Sequence, residues 1–265
     1  MQKILELGPC RRFITRLSHN PHGRNFCQNL AGASGVFPSM GAAEAALQKH
    51  RPPTKEHLNQ ELISSNFHGS LHLRPSDYAV LFWLEKISAA EPLVLFDFGA
   101  GIGQTYQAMA PLLGPGRIRS WIVQDLPEVI SRATDIAFPD GVPSEVELAS
   151  ELTAGSTCNT ILAAGALHYW TDGMEGFFRQ LGNKPRHFIL NRSPMRLEGE
   201  SYFTVQEGDT WAVPCFVRSF PDFVSEMKSE GYEMVDEWTV VEKQLVRGWR
   251  PDFSCPYKGA YFHMS

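Results

Sequence analysis

Three glycines follow an apolar run and an aspartate at positions 94–103, which read V-L-F-D-F-G-A-G-I-G. The apolar run is typical of a central parallel strand that is covered on both faces of a sheet. Because glycine has no Cβ, Gly99, Gly101 and Gly103 let the backbone come close to a ligand. The pattern predicts a strand that runs into a ligand-binding turn, although a tight turn without a ligand would use the same residues.

The spacing of these glycines separates two kinds of ligand. A dinucleotide fingerprint has its third glycine one position later, where a pyrophosphate meets a helix N-terminus, but position 104 is Gln. Asp97, two residues before the first glycine, would also repel a phosphate. Both features favour an adenosine cofactor without a phosphate, and S-adenosylmethionine is the common one.

A second acidic residue has the position expected of a ribose ligand. The apolar run 118–123 predicts the next strand, and Q-D-L-P follows it at 124–127. An acid at the tip of that strand can accept hydrogen bonds from both ribose hydroxyls, which makes Asp125 the candidate. Asp125 could also cap the helix that Pro127 would begin, and the two roles are compatible.

A histidine follows the predicted strand 159–164, at the sheet edge where ligands bind in α/β folds. A hydroxyl is a poor nucleophile until a base takes its proton, and an imidazole titrates near neutrality. His168 is therefore the candidate general base for methyl transfer to oxygen, and a packing role beneath the cofactor is an equal alternative.

Further candidates surround this edge. Arg192 follows the predicted strand 186–190, where it could hold an acidic acceptor or pair with Glu198 or Glu200. Trp170 could wall the site or belong to the core. The predicted cofactor contacts are Asp97, Gly99, Ala100, Gly101, Gly103, Thr105, Tyr106, Asp125, Leu126, Ala164 and Gly165, and the predicted acceptor contacts are Asn191, Arg192 and Trp170.

These side chains need a doubly wound α/β sheet to bring them together. The last two predicted strands have only a loop between them, so we expect an antiparallel hairpin at the C-terminus of a seven-stranded, mostly parallel, Rossmann-like sheet. The expected divisions are a loosely ordered segment (1–38), a helical lid or flank (39–90) and a cofactor-binding domain (91–265). Strands are predicted at 93–98, 118–123, 145–149, 159–164, 186–190, 232–241 and 257–263, and helices at 39–50, 54–64, 77–88, 103–112, 127–137, 172–181 and 220–230.

From about residue 35 onward, the chain resembles a little-characterised bacterial family of class I methyltransferases that is often associated with surface-polysaccharide loci. The resemblance implies the class I fold, S-adenosylmethionine and a small polar acceptor such as a sugar. The family tryptophan expected near residues 214–217 is absent, so its role is not carried over. The matching motifs are G-V-F-P-S at 35–39, F-D-F-G-A-G-I-G-Q-T-Y at 96–106, W-I-V-Q-D at 121–125, N-R-S-P at 191–194, T-V-Q at 204–206, S-F at 219–220 and Y-K-G at 257–259.

A weaker resemblance is to the dimeric small-molecule O-methyltransferases. It is carried by D-L-P-E-V-I at 125–130 and L-H-Y-W-T-D at 167–172. In that family the histidine of the second motif deprotonates the acceptor, and His168 is the matching position. The family has Asp where this chain has Tyr169. The resemblance also implies a possible homodimer.

Composition sets limits on partners and location. The formal charge of the 265-residue chain is −5, with 24 basic and 29 acidic residues and no long basic run, which disfavours nucleic acid. Five cysteines without a C-x-x-C pair favour reduced thiols and a cytoplasmic location. No apolar stretch reaches membrane-spanning length, and the H-x-x-H at 19–22 and H-x-x-x-H at 68–72 have no nearby acidic or thiol partner, so no metal is expected.

Two rival functions remain open at this point. An NAD-dependent oxidoreductase would share the general fold, but Gln104 and the lack of a Y-x-x-x-K motif argue against it. A non-catalytic protein could keep the fold, and even the cofactor, while lacking an acceptor pocket. The sequence favours a methyltransferase that acts on a small molecule.

Overall fold

The computed structural model of the chain describes residues 30–50, 71–207, 212–247 and 255–264. Ten strands form one sheet there: β1 (Leu30–Phe37), β2 (Leu93–Phe98), β3 (Ile118–Gln124), β4 (Val146–Ala149), β5 (Thr160–Ala164), β6 (His187–Arg196), β7 (Tyr202–Glu207), β8 (Ala212–Ser219), β9 (Tyr232–Arg247) and β10 (Cys255–Met264). The helices are α1 (Met40–His50), α2 (Asp77–Ala90), α3 (Gln104–Met109), α4 (Pro127–Ile130), α5 (Ala133–Ile136), α6 (Gly173–Leu181) and α7 (Phe220–Ser229). Short 3-10 turns cover Ala110–Leu112, Leu152–Thr157 and Leu167–Tyr169.

Seven of the strands lie in the order β4-β3-β2-β5-β6-β10-β9. The first five are parallel, and β10 is antiparallel to both β6 and β9. This is the strand order of the Rossmann-like class I methyltransferase fold. The seven predicted strands and the antiparallel C-terminal hairpin are confirmed.

Apolar residues on both faces of the sheet explain why it is covered on both sides. On one face α2 buries Val80, Leu84 and Ile87 against a core that includes Trp121. On the other face, α6 and α7 cover a core that includes Phe177. The parallel strands are therefore internal, and ligands reach the sheet only at its edges.

Several predicted helices are shorter than expected. The predicted helix 127–137 is two short helices, α4 and α5, separated by a turn at which the Ser131 hydroxyl donates to the Glu128 carbonyl at 3.0 Å. The predicted helix 103–112 begins one residue later and ends in a 3-10 turn that contains Pro111. The predicted helices at 39–50, 77–88, 172–181 and 220–230 correspond to α1, α2, α6 and α7, and the one at 54–64 lies outside the described residues.

Three strands have no counterpart in the sequence prediction. Residues 30–37, which were expected to be loosely ordered, form β1, which is parallel to β9 and antiparallel to β7. Strand β8 is antiparallel to β7 and pairs with the end of β6 at Met195 and Arg196. Because β6, β10, β9, β1, β7 and β8 pair in succession and β8 returns to β6, they close a six-strand ring.

The six-strand ring stands beyond the carboxyl end of the parallel strands, since β6 continues to Arg196 before β8 pairs with it. Its core holds Tyr202, Cys215, Val217, Val240, Cys255 and Tyr257. Helix α1 packs outside the ring, where Ala43 and Leu47 contact Val205 and Ala212. None of the described helices has the length and apolar character needed to cross a membrane.

Candidate cofactor and acceptor site

All backbone N–H groups of the turn between β2 and α3, residues 99–103, are hydrogen-bonded within the protein. Each of its five N–H groups bonds within the protein: Gly99 to Gln124 Oε1 (3.4 Å), Ala100 to the Gln124 carbonyl (2.9 Å), Gly101 to Asp125 Oδ2 (2.7 Å), Ile102 to Gln104 Oε1 (3.2 Å) and Gly103 to the Ala100 carbonyl (3.3 Å). Phosphate sites at such turns are built from N–H groups that point at the ligand. The turn is therefore not arranged to hold a pyrophosphate.

The glycines of this turn are required by its backbone. Gly99, Gly101 and Gly103 have φ values of 64°, 62° and 101°, in the left-handed region that side chains disfavour. A Cβ on Gly99 would lie 2.1 Å from the Cβ of Ala166. The loop after β5 consequently lies directly against the turn after β2, which brings two predicted parts of the site together.

Asp125 ends β3 and faces the same turn. Its Oδ2 accepts from Gly101 and its Oδ1 accepts from the backbone N–H of Leu126 at 2.7 Å. Both oxygens of this carboxylate therefore accept a backbone N–H, which fixes its orientation at the carboxyl end of β3. The N-cap of α4 is Leu126, which provides no side-chain cap, and its side chain is 52% exposed beside the carboxylate.

Asp97 lies beneath the turn and is buried. Burial raises its pKa to about 7, while the hydrogen bond from Trp121 Nε1 to Oδ2 (3.2 Å) and the charge of Arg192 act in the opposite direction. The carboxyl group is thus poised between its two protonation states near neutral pH. Thr105, the second residue of α3, is also buried.

Tyr106 is turned away from this edge. Its hydroxyl donates to Glu145 Oε1 at 2.7 Å, and its ring packs against Trp121 and Phe138. Glu145 immediately precedes β4, at the amino edge of the sheet. Burial and the bond to Glu145 raise the pKa of Tyr106 to about 12. The structure therefore does not bring the Tyr106 side chain together with Asp125.

The end of β5 meets the end of β6 through small residues. The backbone N–H of Gly165, the residue after Ala164, donates to the Asn191 carbonyl at 2.9 Å. Gly165 has a φ of 92°, and a Cβ placed on it would lie 3.9 Å from the Cβ of Arg192. Arg192 thus stands at the carboxyl edge, beside the predicted cofactor contacts.

The side chain of Arg192 is held by an acid that the sequence analysis did not select. Its Nη1 pairs with Asp77 at the start of α2, and not with Glu198 or Glu200. Arg192 is the one non-glycine residue with positive φ among the described residues, at 51°. Arg74 lies close by, and burial, followed by the charge of Arg192, lowers the pKa of Arg74.

Asn191 is fully buried and bonded on both ends of its amide. Its Nδ2 donates to Asp77 Oδ1 and Ser76 Oγ, both at 3.3 Å, and its Oδ1 accepts from Trp238 Nε1 at 3.0 Å. These contacts join the start of α2 to β6 and β9. Its role in binding the acceptor stays a prediction, and these contacts place it behind the site edge.

Trp170 is partly buried and packs against the core on the α6 side of the sheet. Its Nε1 donates to the Gly173 carbonyl at 2.7 Å, and its ring makes an edge-to-face contact with Phe177 at a centroid distance of 5.4 Å. The indole is therefore engaged with α6.

His168 lies in the 3-10 turn after β5 and is 3% exposed. The centroid of its ring is 4.1 Å from that of Tyr169, which is 44% exposed and covers it. The Tyr169 hydroxyl donates to Gln206 Oε1 at 3.1 Å, and Gln206 Nε2 donates to the Tyr257 hydroxyl at 3.0 Å. The sequence analysis did not select Tyr169, Gln206 or Tyr257 as site residues, although Gln206 and Tyr257 belong to motifs shared with the resembling family.

No metal site accompanies this arrangement in the part of the chain that the structure describes. There, no three His, Cys, Asp or Glu side chains come together as metal ligands would. His72 is described, while His19, His22 and His68 lie outside the described residues.

No protein-family model matches the chain, and no curated protein matches it. Solved structures do. Magnesium protoporphyrin IX methyltransferase from Synechocystis, solved with S-adenosylmethionine, is 11% identical, and the match covers 84% of this chain and 90% of that one with a TM-score of 0.48. 1,6-Didemethyltoxoflavin-N1-methyltransferase from Burkholderia thailandensis is 15% identical, and the match covers 81% of this chain and 92% of that one with a TM-score of 0.44. Mitomycin 7-O-methyltransferase is 15% identical, and the match covers 85% of this chain and 61% of that one with a TM-score of 0.49. At these identities the likeness is one of fold, and the fold assignment rests on the strand order.

Proposed function

We propose that the protein is an S-adenosylmethionine-dependent methyltransferase that methylates a hydroxyl oxygen of a small polar acceptor, such as a sugar. The observation that carries this proposal is the internal bonding of all five N–H groups in the turn 99–103. A turn of this kind suits an adenosine cofactor without a phosphate, because it offers a carboxylate to hydroxyl donors and no N–H groups to a phosphate.

The residues present fit such a cofactor. The turn holds the Asp125 carboxylate at the tip of β3, where an acid can serve as acceptor for ribose hydroxyls, and the exposed Leu126 side chain provides an apolar surface next to it. Asp97 and Arg192 lie under the other end of the turn and are close enough for the charge of Arg192 to lower the Asp97 pKa. The Arg192 guanidinium, held by Asp77, suits the carboxylate at the amino acid end of the cofactor, and Asp97 in its ionised form suits the ammonium group there.

When bound, S-adenosylmethionine supplies a methyl group on a positively charged sulfur. The protein must then hold the acceptor oxygen in line with that methyl group and exclude water. His168, on the loop that packs against Gly99 through Ala166, is the candidate that takes the hydroxyl proton. Tyr169 and the six-strand ring cover this position and keep solvent away from it.

Calorimetry with S-adenosylhomocysteine and, separately, NAD tests the proposal. We expect S-adenosylhomocysteine to bind and NAD to bind at least about a hundredfold more weakly. Tight NAD binding without any response to S-adenosylhomocysteine would contradict the proposal. A second measurement follows methyl transfer from donor labelled in its methyl group, which distinguishes an enzyme from a protein that only holds the cofactor.

A further inference from the structure

A row of three hydrogen-bonded side chains runs from the candidate site into the six-strand ring. It consists of Tyr169, Gln206 and Tyr257, and we call it the phenol row. Gln206 is 2% exposed and Tyr257 is fully buried. Burying an amide among apolar side chains costs free energy unless both of its ends are bonded, and Gln206 meets this requirement with the two phenols.

The direction of these bonds fixes what Tyr169 can offer a ligand. The Tyr169 hydroxyl gives its proton to Gln206 Oε1, and the Gln206 amide donates in turn to Tyr257. The Tyr169 oxygen therefore presents lone pairs, and it can only accept a hydrogen bond from a ligand. Desolvation, with smaller effects of Cys215 and Asp125, raises the pKa of Tyr169, so the phenol keeps its proton at neutral pH.

Tyr169 connects the candidate base with the six-strand ring. Its ring lies against His168, its hydroxyl reaches Gln206 of β7, and the charge of Asp125 acts on it. The candidate base and a second hydrogen-bond acceptor are thus carried by two neighbouring rings whose centroids are 4.1 Å apart. Two adjacent acceptors match two adjacent donors on a ligand.

We propose that Tyr169 accepts a hydrogen bond from a second hydroxyl of the methyl acceptor, so that the acceptor is a vicinal diol, in a sugar or in a catechol. The inference rests on the proposed function. Tyr169 acts as a specificity-determining residue, and Gln206 and Tyr257 are positioning residues that aim its oxygen.

The chemistry balances without a further reactant. The acceptor oxygen forms a bond to the methyl carbon with its lone pair, and the carbon–sulfur bond breaks with its electron pair left on the sulfur. The proton of that hydroxyl goes to His168 and then to solvent. The neighbouring hydroxyl stays intact and only donates to Tyr169.

The test compares matched acceptors that differ by one hydroxyl. Catechol is paired with phenol, and cis-1,2-cyclohexanediol with cyclohexanol, so that aromatic and sugar-like sources are measured in separate arms with labelled methyl donor. For the wild-type protein we expect at least one diol to have a kcat/KM about three- to tenfold above its partner, the share of one neutral hydrogen bond. Tyr169→Phe should abolish that preference, mainly by raising KM for the diol toward the value of the single-hydroxyl compound.

Two further variants sharpen the result. Gln206→Leu removes the group that orients Tyr169 and should reduce the same preference, whereas Tyr78→Phe removes a phenol that is 62% exposed on α2 and should not alter it. A diol preference that survives Tyr169→Phe overturns the inference. So does a wild-type protein that binds S-adenosylhomocysteine but methylates neither diol. If S-adenosylhomocysteine itself does not bind, the proposed function fails instead.

Discussion

The backbone N–H of Gly101 donates to Oδ2 of Asp125 at 2.7 Å, which ties the turn after β2 to the tip of β3. The left-handed φ of Gly101 (62°) directs that N–H toward the neighbouring strand. One carboxylate therefore both shapes the turn and faces the position proposed for the ribose. The proposed cofactor specificity and the local fold share this side chain.

Replacing Asp125 with Ala should weaken S-adenosylhomocysteine binding about tenfold to a hundredfold, because a charge-assisted hydrogen bond contributes roughly 1.5 to 3 kcal/mol. Calorimetry measures this, with Asp135→Ala on the exposed side of α5 as the control. Because the bond to Gly101 is lost as well, Asp125→Asn is measured beside it. An unchanged affinity in both variants would remove Asp125 from the ribose site.

Strands such as β2 and β5 were predictable because each is a short apolar run with glycine or proline nearby, a pattern typical of buried strands. Positions of residues along the chain also predicted which strand ends meet, since the carboxyl ends of parallel strands share one edge. The approach of Gly99 to Ala166 is a consequence of that rule.

The six-strand ring could not be predicted from local sequence. Strands β7 and β8 contain buried polar residues such as Thr204 and Gln206, and β8 contains Pro214, so neither has the pattern of a buried strand. Strand β7 is stabilised by pairing with β1, which is more than 160 residues distant in sequence, and β8 by pairing with β7 and the end of β6. For the same reason the phenol row was missed, because its members come from three separate segments.

The directions of side chains could not be predicted from the sequence either. The glycine motif places Tyr106 near the cofactor in sequence, but its side chain points down α3 toward Glu145. Arg192 was placed at the right edge, but its partner, Asp77, comes from a helix whose docking no local pattern reveals.

The stability of the protein should depend on pH through Asp97. Its pKa in the folded protein, about 7, lies above the usual value of 3.8, because burial favours the protonated carboxyl group. The contribution of Asp97 to the free energy of unfolding is therefore fully present below about pH 4 and is lost as the pH rises through 7. Asp97→Asn keeps an oxygen that can accept from Trp121 and removes the titration. We expect the variant to be more stable than the wild type at pH 8, by up to about 4 kcal/mol, and the difference to vanish near pH 4. Urea unfolding at both pH values measures it, and a difference that does not change with pH would contradict the assignment.

Gly259 allows Trp238 to lie flat across β10, and a Cβ there would come within 2.1 Å of the indole Nε1. Gly259→Ala should displace the indole and break its bond to Asn191, with a loss of about 1 to 3 kcal/mol in the free energy of unfolding. Gly41→Ala in α1 has no atom within 4 Å of the added Cβ and serves as the control. Equal stability of the two variants in chemical unfolding would show that the indole moves without cost.

Helix α2 should be part of the cooperative unit rather than an appendage. It buries Val80, Leu84 and Ile87 on the sheet, and its first residue, Asp77, holds Arg192. A chain that starts at Leu93 should be insoluble or lack a cooperative unfolding transition, because this apolar surface would be exposed. The comparison is with a chain that starts at Leu71, which also lacks β1 but keeps α2. Cooperative unfolding and full affinity for S-adenosylhomocysteine in the shorter chain would contradict the prediction.

His168 should separate catalysis from cofactor binding. If it takes the proton of the acceptor hydroxyl, His168→Ala lowers turnover by roughly 10² to 10⁴, the usual share of general base catalysis, and changes the affinity for S-adenosylhomocysteine only by a small factor. Turnover is measured with the better acceptor of the diol pairs, and affinity by calorimetry on the same preparation. His263→Ala, at the opposite edge of the sheet in β10, is the control for loss of an imidazole.

Because His168 is almost completely covered by Tyr169 and its neighbours, a packing role would have a different signature. In that case His168→Ala would lower cofactor affinity, turnover and thermal stability together, and His168→Phe, which restores ring volume without a base, would recover all three. Recovery of stability and cofactor affinity without recovery of turnover in His168→Phe is the result expected of a general base.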